Sequence, residues 1–361
     1  MRASMAVALV ACIVGCAAAC TSPPSNRPNA IELEEFREIA MGVDVTIIIG
    51  GSDQASRLAA ARAAMAEIRA CDEALSDWHA SSERSRLPRA AMVRTQVSDR
   101  LFDATERALT MAQRTEGRFD PTVSPVVALW REARRATRLP DPAAVDAAMK
   151  RVGWRHVHLD AERRELWCDR DDVTLDFGGI GKGFAAQRAS ACLVAAGHPM
   201  HLVAVAGDMA AGPSAPPDRG GWRVLQEDGL RSPIEVELVG EAVSTSGDLE
   251  QFIEVDGVRH SHIIDPRTGR SLVERTAACV RGPDAATCDG LATALCVAGV
   301  RDAPDVLRSF PGYRASVTTI NPGGRRTWST SPGPDGPPCA ASAVTVPKGV
   351  IVPSATATPQ H

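Results

Sequence analysis

The stretch "VTLDFGGIGKGFAAQRASACLVAAGHPMHLVAVAGD" (residues 173–208) decides how the rest of the chain is read. Val173–Leu175 predicts a brief strand, Gly178, Gly179 and Gly181 a bend, and the alanine-rich run behind them a helix, before "MHLVAVAGD" (200–208) returns as a buried strand. The order resembles a nucleotide-binding βα unit, yet neither standard motif fits. Asp176 stands where a Walker A loop needs its first glycine, and Gly183 where it needs Ser or Thr. The glycines do not match G-x-G-x-x-G either. Two readings stay open on spacing alone: backbone N–H groups and Lys182 converging on a phosphate, or a tight packing turn.

Working outward, strands recur in hairpins with helices grouped between them. "EFREIAMGVDVTIII" (35–49) alternates into an apolar strand with a kink at Met41-Gly42, and a helix follows from Ser52 with Leu58, Ala61, Met65, Ile68 and Leu75 at helical spacing. Ser98 caps a second helix that closes at Gly117. "GRFDPTVSPVVALW" (117–130) reads as a proline-punctuated loop, and a short helix over 142–152 precedes a hairpin at "HVHLDAERRELWCD" (156–169). Later strands are "WRVLQ" (222–226), "IEVELV" (234–239), "AVSTSG" (242–247), the Asp256-Gly257 hairpin "FIEVDGVRH" (252–260) and a strand over 277–281. A helix over 284–298 and "YRASVTTI" (313–320) as the last strand complete the set. This predicts an α+β fold of largely antiparallel sheets with helices packed on them, not a doubly wound sheet.

The 361 residues are 44% hydrophobic and carry a net charge of −4 with no Lys/Arg block, which argues against a nucleic-acid partner. Arg2 followed by the apolar run Met5–Val14 is a signal-peptide pattern, too short to span a bilayer. Ile13-Val14-Gly15-Cys16 has the form of a bacterial lipobox, with Cys20 a second candidate and an ordinary cleaved signal the alternative. The predicted organisation is a lipoprotein signal over 1–16, a tether over 17–31, one folded domain over 32–331, and a disordered Pro-rich tail over 332–361. Seven cysteines beyond Cys20 form no C-x-x-C, so buried free thiols are expected.

Four constellations carry possible chemistry. The glycine bend with Lys182 is the first. In "CDGLATAL" (288–295), Asp289 and Thr293 lie at i and i+4 on one helix face, an oxygen pair suited to Mg²⁺, or alternatively a solvated Asp and a back-bonded Thr. Gly207-Asp208 and Ser246-Gly247-Asp248 each follow a strand, where turns are the simple explanation. His262, before the "DPRTG" turn, is either structural or a proton acceptor.

Together these blocks are in the order and spacing of one family. Through "MGVDVTI", "LSDW", "FDPTVSPVVALW", "DFGGIGKGFAA", "VAGD", "STSGD", "HSHIIDPRTG" and "DGLATAL", the chain resembles the ApbE family of FAD:protein FMN transferases from Met41 to about Thr319. The resemblance implies an α+β, ApbE/T-fold-like domain that uses Mg²⁺ and FAD. It implies transfer of FMN to a Thr or Ser hydroxyl of an acceptor protein, with release of AMP. It puts the metal on the Gly179 carbonyl, Asp289 and Thr293, and the flavin against Met41, Trp78, Phe119, Asp120, Pro121, Asp176 and Lys182. Gly207, Asp208, Ser246, Gly247, Asp248 and Ile263 are expected nearby. Lys182 would stabilise developing phosphate charge, and His262 would take the hydroxyl proton. Implied partners are acceptor flavoproteins such as subunits of ion-pumping respiratory complexes, at the periplasmic face of the bacterial inner membrane. Gln187, Gly181, Cys288 and Ala292 depart from the usual residues. An Mg²⁺-dependent FAD pyrophosphatase and a non-catalytic FAD-binding lipoprotein are the competing readings.

Overall fold

The computed structural model describes residues 31–217, 219–247 and 251–330. The expected signal segment, most of the tether, Asp248 and the Pro-rich tail lie outside the described residues. One antiparallel sheet organises the rest, and its eight strands are hydrogen-bonded in chain order. They are β1 (Glu32–Ala40), β2 (Val43–Gly51), β3 (His201–Val205), β4 (Asp208–Ala211), β5 (Ala242–Gly247), β6 (Arg275–Gly282), β7 (Arg314–Asn321) and β8 (Gly324–Ser329). The helices are α1 (Gln54–Leu75), α2 (Asp99–Arg114), α3 (Ser124–Ala136), α4 (Pro142–Met149), α5 (Gly181–Ala195) and α6 (Ala285–Arg308). All the strand pairs of the sheet are antiparallel, as the hairpin pattern predicts.

Alternation along β2 explains how the layers form. Val45, Ile47 and Ile49 point to one face and are completely buried, while Asp44, Thr46 and Ile48 point to the other. On the first face, α1, α5 and α6 pack together against the sheet around Ile68, Phe184, Leu193 and Leu291. On the second face the hairpin of Trp222–Gln226 and Ile234–Leu238 covers Leu202, Ala211 and Val243. A smaller third cluster joins Val126 on α3, Ala148 on α4 and Ile264, with Trp130 and Met149 packed on it.

Several local expectations are corrected. Met41-Gly42 is not a kink within one strand: both residues have positive φ, 55° and 72°, and close a two-residue hairpin between β1 and β2. The first helix takes Asp53, not Ser52, as its N-cap, since the Asp53 carboxylate accepts from Ala55 N. Helix α3 begins inside the segment read as a loop, because Pro125 sits in its first turn, where no N–H is required. The helix predicted over 142–152 ends at Met149. Val173–Leu175 forms no strand, and the Leu175 carbonyl accepts from Arg84 Nε at 2.5 Å. Helix α6 breaks at Gly299 (φ 64°), next to the predicted end, and resumes to Arg308. The chain does not finish at β7: the Pro322-Gly323 turn returns it as β8, a polar strand with weak alternation.

Candidate active site

The strand order brings the first turn of α5, the end of β5 and the first half of α6 to one place. Gly183 N donates to Asp289 Oδ2 at 2.9 Å, so the α5 N-terminus is pinned to the carboxylate on α6. This contact needs a residue without a side chain. A Cβ on Gly183 would lie 2.2 Å from the Ala285 carbonyl oxygen and 2.7 Å from Asp289 Cβ. Gly181, two residues earlier, is different: its Cβ would meet nothing closer than Phe177 Cβ at 3.6 Å. Gly183→Ala is therefore expected to lower the unfolding free energy by about 3 kcal/mol, the upper end of overpacking, because backbone must move. Gly181→Ala is expected to be neutral or stabilising by up to about 1 kcal/mol, since helical glycine is intrinsically unfavourable. Urea unfolding of the two variants checks the contrast.

Asp289 is almost completely buried, as is Asp208 at the start of β4. Lys182 lies between them, 2.5 Å from Asp208 Oδ2 and 3.8 Å from Asp289 Oδ2. Ser244 Oγ donates to the other oxygen of Asp208. Burial and the Asp208 carboxylate push Asp289 up to about 7, against the pull of Lys182 and Gly183 N–H. Burial alone would lower Lys182, but Asp208 and Asp289 hold its ammonium well above the usual range. Two buried carboxylates thus share one ammonium. The pocket is short of positive charge.

One turn along α6, Thr293 Oγ1 is 3.2 Å from Ser246 Oγ on β5. Gly179 faces the same hydroxyl: a Cβ there would lie 3.2 Å from Thr293 Oγ1 and 3.2 Å from Phe119 Cε2. The structure therefore gathers Gly179, Lys182, Asp208, Ser246, Asp289, Thr293 and Phe119, and Met41 Cε would approach a Cβ on Gly181 at 3.8 Å. The Asp289 carboxylate and the Thr293 hydroxyl, one helical turn apart, are hard oxygen donors of the kind that Mg²⁺ prefers. Among the described residues no group of three or more His, Cys, Asp or Glu is placed to hold a metal ion.

The remaining residues expected to contact a flavin form a second group, joined to the first by the 119–121 segment. Asp176 N donates to the Pro121 carbonyl at 2.6 Å, and Asp176 Oδ1 accepts from Gly178 N at 2.8 Å. Burial and nearby Asp77 raise Asp176, while Gly178 N–H, Arg131 and Arg84 lower it. Asp120 turns inward, bonding Thr122 N at 2.8 Å, Thr122 Oγ1 at 2.6 Å and Trp154 N at 3.1 Å, so its carboxylate shapes the loop. Trp78 is 68% exposed, with the Arg131 guanidinium 4.5 Å from its ring centre and Arg131 itself paired to Asp77. Gly207 lies in the exposed β3–β4 turn, Gly247 pairs with Ala277 across the sheet, and Ile263 is buried.

His262 follows the hairpin of Phe252–Val255 and Val258–Ser261 and lines a cleft of about 90 Å³ with Trp130, Arg131, Arg134 and Gln251. Its Nδ1 lies 3.1 Å from the Gln251 carbonyl, which also accepts from His262 N at 2.9 Å. A carbonyl only accepts, so Nδ1 carries a hydrogen and Nε2 of the neutral ring bears the lone pair. Arg131 lines this cleft and also lies over the Trp78 ring, so it links His262 to Trp78. Asp77, Ser244, Gln251, Arg131 and Arg134 were not singled out from sequence. A helical reading of 124–136, with Pro125 in its first turn, would have put Trp130 and Arg134 on one face. Of the unusual residues, Gln187 caps α6 through Oε1, which accepts from Ala285 N at 2.8 Å, and the buried Cys288 thiol is raised far above its usual range by desolvation. Among the described residues Cys71, Cys168, Cys192, Cys279 and Cys288 are free thiols, three of them buried.

Known proteins resemble the chain over most of its length. The family model described as "ApbE family" matches residues 41–317. The FAD:protein FMN transferase of Klebsiella pneumoniae is 30% identical over 341 residues, covering 90% of this chain and 94% of the relative. That of Salmonella typhimurium is 31% identical over 244 residues, 64% of this chain and 68% of the relative. The apo crystal structure of Pseudomonas stutzeri flavinyl transferase ApbE superposes with a TM-score of 0.73 at 27% identity, covering 83% of this chain and 95% of that one.

Proposed function

The chain belongs to the ApbE family, and we propose that it is an Mg²⁺-dependent FAD:protein FMN transferase. It joins FMN through a phosphoester to a Thr or Ser of an acceptor protein and releases AMP. The observation that carries this reading is the meeting of Gly179, Thr293 and buried Asp289 beside Lys182, in a pocket with more carboxylate than ammonium charge. The donor set fits a hard divalent cation, which when bound supplies charge neutralisation at bridging phosphates. Gly179, Asp289 and Thr293 would hold it.

The chain's own residues then have distinct tasks. Asp208 and Ser244 orient Lys182, whose ammonium opposes the charge that builds on the phosphate oxygens as the acceptor hydroxyl attacks. His262 takes the hydroxyl proton at Nε2 while Nδ1–H stays on the Gln251 carbonyl. One O–P bond forms to the acceptor, the O–P bond to AMP breaks, and AMP leaves with the electron pair. Trp78, with Arg131 behind it, offers an exposed aromatic face to the flavin. The signal and lipobox pattern support a lipid-anchored protein on the periplasmic face of the inner membrane, acting on acceptor flavoproteins there.

Incubation with FAD, Mg²⁺ and an acceptor protein, followed by mass spectrometry, tests the assignment. Flavin covalently on the acceptor is the expected outcome. Free FMN and AMP with unmodified acceptor would make the protein a pyrophosphatase, and intact FAD a binding protein.

A further inference from the structure

Helix α3 connects the flavin-side loop to the segment that carries His262, and one side chain makes most of that connection. Trp130 Nε1 donates to the Gly269 carbonyl at 2.9 Å, holding the turn that follows Asp265. The indole also stacks on His260, with centroids 5.6 Å apart and planes at 27°. His260 in turn shares a hydrogen bond of 2.9 Å with Ser271 Oγ. Trp130 thus grips the chain on both sides of His262, two residues before it and seven after. The same turn is seated on α4, where a Cβ on Gly269 (φ 69°) would lie 2.9 Å from both Val145 Cγ1 and Met149 Sδ. Trp130 packs on the small core of Val126, Ala148 and Ile264, which lies apart from the main one. One turn further along α3, Arg134 Nη1 reaches Gln251 Oε1 at 3.3 Å, the residue whose carbonyl orients the imidazole. At the other end of α3, Arg84 Nη2 lies 3.5 Å from Ser124 Oγ while its Nε holds the Leu175 carbonyl beside Asp176.

We propose that Trp130 is a positioning residue that fixes His262 relative to the flavin-binding loop, its indole N–H and ring face together setting the height of the imidazole in the cleft. The proposal rests on the assignment of His262 as the base. Trp130 is not a catalytic residue, since its N–H is used by Gly269 and its ring by His260.

The test compares Trp130→Phe, which keeps a ring but loses the N–H, with Trp130→Ala and with His262→Ala, in the full chain with FAD, Mg²⁺ and acceptor. A misplacement near 1 Å costs on the order of 100-fold in rate. Accordingly Trp130→Ala is expected to lower kcat by about that factor and Trp130→Phe by roughly 10-fold. KM for FAD should stay within about 2-fold in both, because uniform binding is untouched. Histidine ring ¹H–¹⁵N spectra should show loss of the His262 Nδ1–H signal in Trp130→Ala, a change that a loss of stability alone does not produce in the folded protein. Wild-type kcat in both Trp130 variants while His262→Ala is inactive overturns the proposal and leaves the base assignment standing. A higher KM for FAD at unchanged kcat overturns it by placing Trp130 on the flavin. Full transfer by His262→Ala overturns the base assignment, and this proposal with it.

Discussion

His262→Ala is expected to slow transfer to the acceptor by roughly two to four orders of magnitude, the usual contribution of a positioned general base. FAD affinity should remain within a few-fold, because no proposed flavin contact depends on the imidazole. The reason lies in the backbone: Gln251 supplies one carbonyl to both His262 N and Nδ1, which sets the ring and its tautomer together. The loss should fall on kcat. Stopped-time measurement of covalently bound flavin, with FAD binding followed by fluorescence quenching, separates the two quantities. Transfer at the wild-type rate would remove His262 from the mechanism.

Asp289→Asn is the second large effect, and activity and stability should respond in opposite ways. Transfer should fall by at least about 100-fold, the scale on which charge-stabilising groups act in such sites. Without metal, the variant should be as stable as the parent or more so. Asp208 and Asp289 are both buried and share Lys182, so removing one negative charge leaves a matched pair. The asparagine oxygen still accepts from Gly183 N, where the carboxylate now sits at 2.9 Å. A pocket strained by excess charge is commonly the destabilised part of an enzyme. Added Mg²⁺ should raise the melting temperature of the parent, by the equivalent of about 2.7 kcal/mol at one hundred times Kd, and leave Asp289→Asn unchanged. Thermal unfolding with and without Mg²⁺ checks both halves.

The chain shows how far pattern reading reaches in such a fold. The antiparallel hairpins and helix α2 were legible because their periodicities are strong and Ser98 is a conventional cap. Helices α1 and α6 were found as helices, but with the cap of the first shifted and the end of the second placed early. Helix α3 was not, because a proline in its first turn looks the same in sequence as a proline that ends a helix. Strand β8 escaped because Gly324–Ser329 has a single apolar residue, Trp328, too few to show an alternating face. The oxygen cluster was partly legible: Asp289 and Thr293 share a helix face at i and i+4, but nothing local announces that Gly179 faces that hydroxyl. The need for Gly183 was equally hidden, since its missing side chain makes room for the Ala285 carbonyl, 102 residues later. Asp77, Ser244 and Gln251 act on the site through partners far along the chain, and only the folded arrangement reveals them.

Crystals grown with FAD and Mn²⁺, measured at the manganese absorption edge, interrogate the cation directly. A single anomalous peak bonded jointly to the Gly179 carbonyl, Asp289 and Thr293, with the dinucleotide's phosphates on its open side, is the predicted result. A peak at other residues, or flavin density at Trp78 with no ion beside Asp289, would contradict it.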